Sequence, residues 1–175
     1  MVLYQSVIET PVSKMRAISN GDALCSLEFV RENRMARLDA RLARWFTNAE
    51  IVEGTTSVIE GTRKWLMSYF AGESVDSSAL KLELRGAPFE LRVWDALRKI
   101  AVGTTTTYGA IAREIGSPGA ARAVGMANGA NPIAIIVPCH RVIGSNGSLT
   151  GYGGGLDRKT WLIDHERRWR NDTLF

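Results

Sequence analysis

The residues best suited to covalent chemistry stand together at residues 138–141, Pro-Cys-His-Arg. An apolar run over 133–137 predicts a strand that enters a sharp turn and presents Cys139. A thiol reacts as its thiolate, and neighbouring basic side chains favour that form. Glu166 is the candidate to orient His140 as a base, because a catalytic base usually needs a third group to hold it. This pattern favours a reactive Cys139, and the alternative is an inert buried cysteine.

The second cysteine, Cys25, provides an internal comparison, because it lies in an apolar strand pattern without a basic neighbour. We expect Cys25 to belong to the core. The chain has only two histidines, His140 and His165, so a Cys₂His₂ zinc site would need every Cys and His. The sequence therefore predicts neither a metal nor a disulfide framework, which suits a reducing cytoplasm.

The composition bounds the class of protein. With 175 residues, 45% of them hydrophobic and 23% charged, the chain fits one medium or two small domains and excludes wholesale disorder. No apolar run reaches the roughly 18 residues of a membrane span, and the first residues lack a signal-peptide pattern. These features predict a cytoplasmic protein that does not contact a membrane.

The net charge of +4 lies entirely in the second half of the chain. Residues 1–87 carry 11 basic and 11 acidic side chains, whereas residues 88–175 carry 11 basic and 7 acidic side chains. A basic half beside a neutral half points to a polyanion as partner. The excess is modest, so charge alone leaves nucleic-acid binding and its absence equally open.

The first half reads as strands followed by helices. Strands are predicted over 4–9, 15–19, 23–30 and 80–84, and helices over 31–46 and 57–70. The second helix has Val58, Trp65, Leu66 and Tyr69 as its expected inner face. The Gly-Ala-Pro stretch after Arg85, where the charge balance changes, is the expected domain boundary.

The second half reads as mostly helical. Helices are predicted over 88–100, 108–115 and 120–129, and a final helix over 157–166 precedes a frayed tail, 167–175. Thr107 is expected to cap the second of these helices, and Ser117 and Pro118 to start the third. Two short helices around a glycine turn are typical of a helix-turn-helix, and a helical hairpin packed in the core is the alternative. Residues 144–155 form a glycine-dense loop, either a hinge or lid near Cys139 or a plain cluster of turns.

The segment Pro138-Cys-His-Arg-Val142 resembles the active-site signature of the O6-alkylguanine-DNA alkyltransferases, the methylated-DNA–protein-cysteine methyltransferases. Flanking motifs follow in the family's order and extend the resemblance over about residues 65 to 166. They are Tyr69-Phe-Ala-Gly-Glu, Phe89-Glu-Leu-Arg-Val-Trp, Thr107-Tyr-Gly, Ala120-Ala-Arg-Ala-Val-Gly, Asn131-Pro, Gly151-Tyr-Gly-Gly-Gly-Leu and Trp161-Leu-Ile-Asp-His-Glu.

The resemblance implies an α+β protein of two domains. Residues 1–85 would form a small ribonuclease-H-like α/β domain, and residues 86–175 a mostly helical, winged helix-turn-helix domain that binds DNA and accepts the alkyl group. It further implies repair of duplex DNA without a cofactor. The protein would grip the minor groove, flip the damaged nucleotide, and move a methyl or other alkyl group from guanine O6, or thymine O4, to its own cysteine.

The resemblance also implies roles for individual residues. Cys139 would be the alkyl acceptor, His140 a base acting through a water, and Glu166 the group that orients it. Tyr108 would assist the guanine leaving group. Asn131 would tie the active-site turn together.

The remaining implied roles concern DNA and the pocket. Arg122 would be the finger that fills the base stack. The other DNA-contacting positions would be Ala121, Gly125, Ala127, Asn128 and Arg141. Val142, Tyr152 and Gly153 would line the substrate pocket, where the carbonyls of Cys139 and Val142 would accept from the guanine amino group. The partner would be duplex DNA carrying O6-alkylguanine, bound by a monomer, with cooperative assembly on DNA left open.

The sequence departs from some relatives at two points, and three other functions compete with alkyl transfer. Gly153 replaces a serine found in some relatives, which predicts a roomier pocket. Some relatives hold a zinc ion in the first domain, which the histidine content here does not support. The rivals are a damage-recognition protein without an acceptor, a winged-helix regulator with a structural Cys139, and a Cys–His hydrolase. Cys139 argues against the first, and the whole motif set argues against the others.

Overall fold

The computed structural model describes residues 1–73 and 75–172, with side chains up to residue 169. The chain divides into two compact units, Met1–Arg85 and a second unit that begins at Gly86. Among the described residues, no helix is both long and apolar enough to cross a bilayer. A sheet in the first unit and mostly helices in the second confirm the α+β prediction.

The first unit is built on a four-stranded sheet. Its strands are β1 (Val2–Ile8), β2 (Met15–Ser19), β3 (Leu24–Phe29) and β4 (Glu50–Glu53), in the spatial order β3-β2-β1-β4. The first three strands pair antiparallel, as the turn signals between them predict, and β4 pairs parallel with β1. The sequence analysis missed β4, because a four-residue strand with glutamate at both ends has no apolar alternation.

One predicted strand of this unit is wrong. Residues 80–84 alternate like a half-buried strand, but the structure gives them one isolated parallel bridge, between Leu24 and Leu82. Backbone hydrogen bonds on either side of that bridge join Leu24 to Lys81 and to Glu83. The segment touches β3 at one point only, so alternation here reflects local burial rather than a ladder.

Two helices accompany this sheet. Helix α1 (Glu32–Trp45) connects β3 at one edge of the sheet to β4 at the other, which lets β4 pair parallel with β1. Buried side chains of the sheet and of α1 form one cluster together with Phe46, and Cys25 lies within it as predicted. Its buried members are Leu3, Ile18, Cys25, Leu38, Leu42 and Phe46.

Helix α2 (Ser57–Phe70) begins where Thr56 accepts a hydrogen bond from the amide of Ile59. Leu66 and Tyr69 are buried as predicted, but Val58 and Trp65 are partly exposed. Ile59 and Thr62 take their places on the inner face.

The second unit is mostly helical. Its helices are α3 (Pro88–Leu97), α4 (Tyr108–Glu114), α5 (Ala121–Gly129) and α6 (Leu156–Asp172). Thr107 caps α4 as predicted, accepting from the amide of Ala110. Strands β5 (Thr106–Thr107) and β6 (Val142–Ile143) form a short parallel pair, and Cys139–Arg141 form one turn of 3₁₀ helix.

Three expectations for this unit are wrong. Helix α5 begins at Ala121, so Ser117 and Pro118 lie in the preceding turn, which closes through the amide of Ala120 on the Ser117 carbonyl. Residues 133–137 form buried turns rather than a strand. The tail is helical as far as Asp172 rather than frayed from 167, and its last three residues lie outside the described part.

Candidate active site

The turn that leads to Cys139 is held by Asn131. The Asn131 Nδ2 group donates to the carbonyls of Val137, at 2.8 Å, and Ile133, at 3.3 Å, and its Oδ1 accepts from the Ile133 amide at 3.0 Å. These bonds satisfy backbone groups that a strand would otherwise have paired. Ile135 within this turn has a φ of 69°, which is costly for a β-branched side chain. The surrounding bonds therefore impose a strained path that ends at Cys139.

Cys139 lies at the start of the 3₁₀ turn and is 4% exposed. Its amide donates to the Val137 carbonyl at 2.8 Å, and its own carbonyl accepts from Asn128 Nδ2 at 3.1 Å. Asn128 belongs to α5, so that helix holds the backbone of the cysteine from one side. Two buried asparagines therefore hold the backbone that carries the thiol.

His140, Arg141 and Glu166 form a buried network beside this cysteine. His140 Nε2 lies 2.7 Å from Glu166 Oε1, and Arg141 donates to both carboxylate oxygens of Glu166 at 2.8 Å. The amide of Gly103 donates to Glu166 at 3.2 Å, and Arg141 also donates to the Ile100 carbonyl at 2.6 Å. The structure thus brings His140 and Glu166 together, which sequence alone could not place in space.

The electrostatics of this network assign the proton on His140. Burial acts to raise the pKa of Glu166, but the charges and hydrogen bonds of His140 and Arg141 outweigh it and hold that pKa well below its usual range. Burial lowers the pKa of His140, so its neutral form is favoured. An ionised carboxylate only accepts, so the proton of neutral His140 lies on Nε2 and Nδ1 keeps its lone pair. Nδ1 is buried without a hydrogen bond to the residues that the structure describes, and it can accept a proton.

Lys159 on α6 is a component that the sequence analysis missed. It is fully buried, and its Nζ donates to the carbonyls of Val142, at 2.5 Å, and Thr150, at 2.9 Å. Burial lowers the pKa of Lys159 to about 8, and the nearby Cys139 charge opposes that shift. A signal was available, since Lys159 lies seven residues before Glu166 and so shares its helix face. Lysine on a buried face indicates a dedicated partner.

Tyr108 faces the loop that follows β6. Its hydroxyl donates to the Thr150 carbonyl at 2.7 Å, and its ring lies 5.8 Å from Lys159 Nζ. Burial raises the pKa of this hydroxyl, so it remains a proton donor at neutral pH. Gly151 has a φ of 66°, and a Cβ there would stand 3.2 Å from the Tyr108 hydroxyl. The loop can approach the tyrosine because residue 151 is glycine.

The predicted pocket residues lie in or next to the glycine-dense loop that follows β6. Val142 and Tyr152 are buried, whereas Gly153 is partly exposed. Val142 begins β6 directly after the 3₁₀ turn, and its carbonyl is one of the two that Lys159 binds. The lysine therefore joins the residue that follows the 3₁₀ turn to the glycine loop.

The predicted DNA-contacting residues separate into two groups. Arg122 is exposed, and Ala121 and Gly125 are partly exposed. Ala127 and Asn128 are buried instead. Their contact with DNA stays a prediction, and in this structure the Ala127 carbonyl accepts from the Trp94 indole at 2.8 Å and Asn128 holds Cys139.

The contact of Arg141 with DNA also stays a prediction. In this structure its guanidinium is largely buried and donates to Glu166 and to a backbone carbonyl. Within the described ranges, no group of three His, Cys, Asp or Glu side chains could hold a metal ion.

The comparisons with known proteins agree with one another. Residues 88–168 match the family described as 6-O-methylguanine DNA methyltransferase, DNA binding domain. The methylated-DNA–protein-cysteine methyltransferase of Mycolicibacterium paratuberculosis is 45% identical over 96% of this chain and 94% of its own length. The protein of that name from Methanosarcina acetivorans is 41% identical over 94% of this chain and 98% of its own length. A crystal structure of Mycobacterium tuberculosis OGT in complex with DNA superposes with a TM-score of 0.78, at 42% identity over 97% of this chain and 94% of that one.

Proposed function

Because the chain belongs to the methylated-DNA–protein-cysteine methyltransferase family, we propose that Cys139 removes a methyl or other alkyl group from O6 of guanine in duplex DNA. We extend the proposal to O4 of thymine. The observation that supports alkyl transfer to Cys139 is the buried hydrogen bond between His140 and Glu166 beside the cysteine. That bond leaves one histidine nitrogen able to take the thiol proton, which an inert buried cysteine would not require.

The proposed reaction proceeds by proton removal and displacement. Nδ1 of His140 takes the Cys139 proton through a water, and the developing imidazolium is stabilised by the Glu166 carboxylate. The thiolate attacks the saturated alkyl carbon, a sulfur–carbon bond forms, and the carbon–oxygen bond breaks. The electron pair passes to the guanine, which Tyr108 protonates or hydrogen-bonds. For that last step, the Tyr108 hydroxyl gives up its hydrogen bond to the Thr150 carbonyl and donates to the guanine instead.

The proposed pocket recognises guanine through backbone carbonyls. The Cys139 carbonyl already accepts from Asn128 Nδ2 and from the Val142 amide, and the Val142 carbonyl accepts from Lys159. A carbonyl oxygen has two lone pairs, so at Cys139 the guanine amino group would share or replace one of these two donors. Tyr152 lines the same pocket.

Gly153 would make this pocket roomier than a serine does. The expected effect of Gly153→Ser is a lower rate with O6-benzylguanine relative to O6-methylguanine, measured in duplexes of one sequence. An unchanged rate ratio would contradict the roomier pocket.

The proposed contact with DNA uses the exposed side of α5 in a winged helix-turn-helix. Arg122 enters the base stack as the damaged nucleotide leaves, and Ala121 and Gly125 let the helix approach the minor groove. The excess of basic residues over 88–175 supports this placement. Phosphate contacts would make the affinity fall with salt, and flanking sequence would matter little. A monomer in the cytoplasm remains our expectation, with cooperative assembly on DNA open.

The reaction would occur once per molecule. A thioether is a poor leaving group, so alkylated Cys139 is not regenerated by this site. The protein is then spent as it repairs, and no cofactor takes part.

The test is intact mass before and after mixing with a duplex that contains one O6-methylguanine. We expect a gain of one methyl group, at most one per chain, and no gain for Cys139→Ser. A folded wild-type protein that binds the duplex without gaining mass would refute alkyl transfer and favour the damage-recognition alternative. A gain retained in Cys139→Ser would refute the assignment of the acceptor.

A further inference from the structure

Helix α5 buries its inner face within the second unit, beside Cys139. Val124, Ala127 and Asn128 are buried. The Ala127 carbonyl receives the Trp94 indole, and Asn128 holds the Cys139 carbonyl. Movement of this helix would therefore disturb the cysteine, so its inner face is a fixed support.

The outer face of the same helix carries an unusual side chain. Met126 is 74% exposed, the largest exposure of any large apolar side chain in the part of the chain that the structure describes. It follows Arg122 by four residues, so the two side chains are neighbours on one exposed stripe, with Ala123 between them. The helix has no acidic residue, and the stripe therefore combines an unopposed positive charge with a flexible apolar tip.

A single exposed methionine needs no explanation by itself. Two observations set Met126 apart. It lies one helical turn from the arginine proposed to enter the base stack, and the opposite face of its helix binds the backbone of the acceptor cysteine. A duplex that delivers a nucleotide to Cys139 and meets Arg122 must also pass Met126. Charge complementarity makes the polyanionic duplex the occupant of this stripe.

We propose that Met126 is an apolar wedge, which enters the minor groove beside Arg122 and packs against deoxyribose and base edges where the alkylated nucleotide leaves the stack. Methionine is among the side chains that unstack base steps from the minor groove. Its unbranched, polarisable chain adapts to different base edges, so the wedge would not demand a particular sequence. The inference rests on the proposed function, and it assigns to Met126 the task of easing base flipping.

The experiment compares two substrates and two methionines. Met126→Ala is measured beside Met67→Ala, since Met67 on α2 is 68% exposed in the other unit. Each variant reacts in single-turnover mode with a saturating O6-methylguanine duplex and, separately, with free O6-benzylguanine, which needs no flipping. We expect Met126→Ala to lose about tenfold in rate on the duplex and to match the wild type on the free base, with Met67→Ala unchanged on both.

Two more variants separate a wedge from a simple contact. Met126→Leu should restore most of the duplex rate, because leucine is also a wedge side chain. Met126→Lys should bind the duplex at least as tightly as the wild type without restoring the rate, because it adds charge and no apolar tip.

Other outcomes overturn the inference. A wild-type duplex rate in Met126→Ala would exclude a wedge, and an equal loss on the free base would indicate a disturbed pocket instead. A similar loss in Met67→Ala would indicate a general surface effect. Failure of the wild type on both substrates would refute the proposed function itself, which distinguishes that failure from a failure of the wedge.

Discussion

Cys25 and Cys139 are almost equally buried, with 1% and 4% of their surfaces exposed, but their surroundings differ. Cys25 lies in a strand among apolar side chains, and burial raises the pKa of its thiol to about 11. Cys139 lies in a turn held by asparagines, next to the network of His140, Arg141 and Glu166. Under the proposed function, burial does not distinguish the reactive thiol from the inert one, and the hydrogen-bonding groups around each thiol do.

The largest effect is expected from Glu166→Gln. Without the carboxylate, the proton on His140 is no longer directed to Nε2, and we expect the rate of alkyl transfer to fall roughly 10³-fold. Breaking this buried pair also costs about 3 kcal/mol or more in unfolding free energy. Rates measured per folded molecule, with folding followed by circular dichroism, separate these effects.

Glu28→Gln is the matched control for that variant. Glu28 is as buried as Glu166 and also pairs with an arginine, Arg34, but it lies in the first unit, with Cys25. The Glu28→Gln substitution should lower the free energy of unfolding and leave the rate of alkyl transfer unchanged. A folded Glu166→Gln protein with the wild-type rate would remove the distinction between the two thiols.

A smaller effect is expected from Lys159→Met, which keeps the aliphatic stem and removes the ammonium. The Val142 and Thr150 carbonyls lose their shared donor, so the pocket wall and the glycine loop are no longer joined. We expect the rate to fall roughly tenfold, on duplex and on free O6-benzylguanine alike, since the defect is in the pocket. A loss confined to the duplex would place Lys159 in DNA binding instead.

The network around Cys139 should also make stability depend on pH. The pKa of His140 is lowered in the folded protein, so protonation favours the unfolded chain as pH falls below about 6.5. The pKa of Glu166 is lowered too, so its contribution is present above about pH 4.3 and is lost as pH falls further. Urea midpoints measured from pH 7 down to about pH 2 should decrease in both windows. In Glu166→Gln, the urea midpoint should depend less on pH in the lower window. An unchanged pH dependence in that window would contradict an ionised Glu166.

The smallest effect is expected from Cys25→Ala. The substitution removes one sulfur atom from the core cluster and should cost about 1 kcal/mol in unfolding free energy. The rate and extent of alkyl transfer should equal those of the wild type, measured by intact mass over time. A loss of transfer in a stable Cys25→Ala protein would show that the two thiols are not independent.

Local pattern determined much of this protein. Three strands of the first sheet, helices α1 and α2, and the Thr107 cap of α4 follow from hydrophobic period and capping chemistry, which act between residues close in sequence. The reactive candidate Cys139 and its partner His140 were also identifiable, because adjacent residues cannot be separated by folding. Glu166 was a candidate to orient His140 by the same reasoning, and the resemblance then added Asn131 to the site.

Only the tertiary structure decided which residues support the cysteine and which remain on the surface. Asn128 and Arg141 have side chains suited to DNA, but contacts with Cys139, Glu166 and Ile100 commit them to the interior. The spacing of Lys159 from Glu166 indicated a shared helix face, but only the packing of α6 gave Lys159 its partners, the carbonyls of Val142 and Thr150. The run over 133–137 is as apolar as a strand, but Asn131 satisfies its backbone and turns it instead. These outcomes depend on partners distant in sequence, which no local pattern contains.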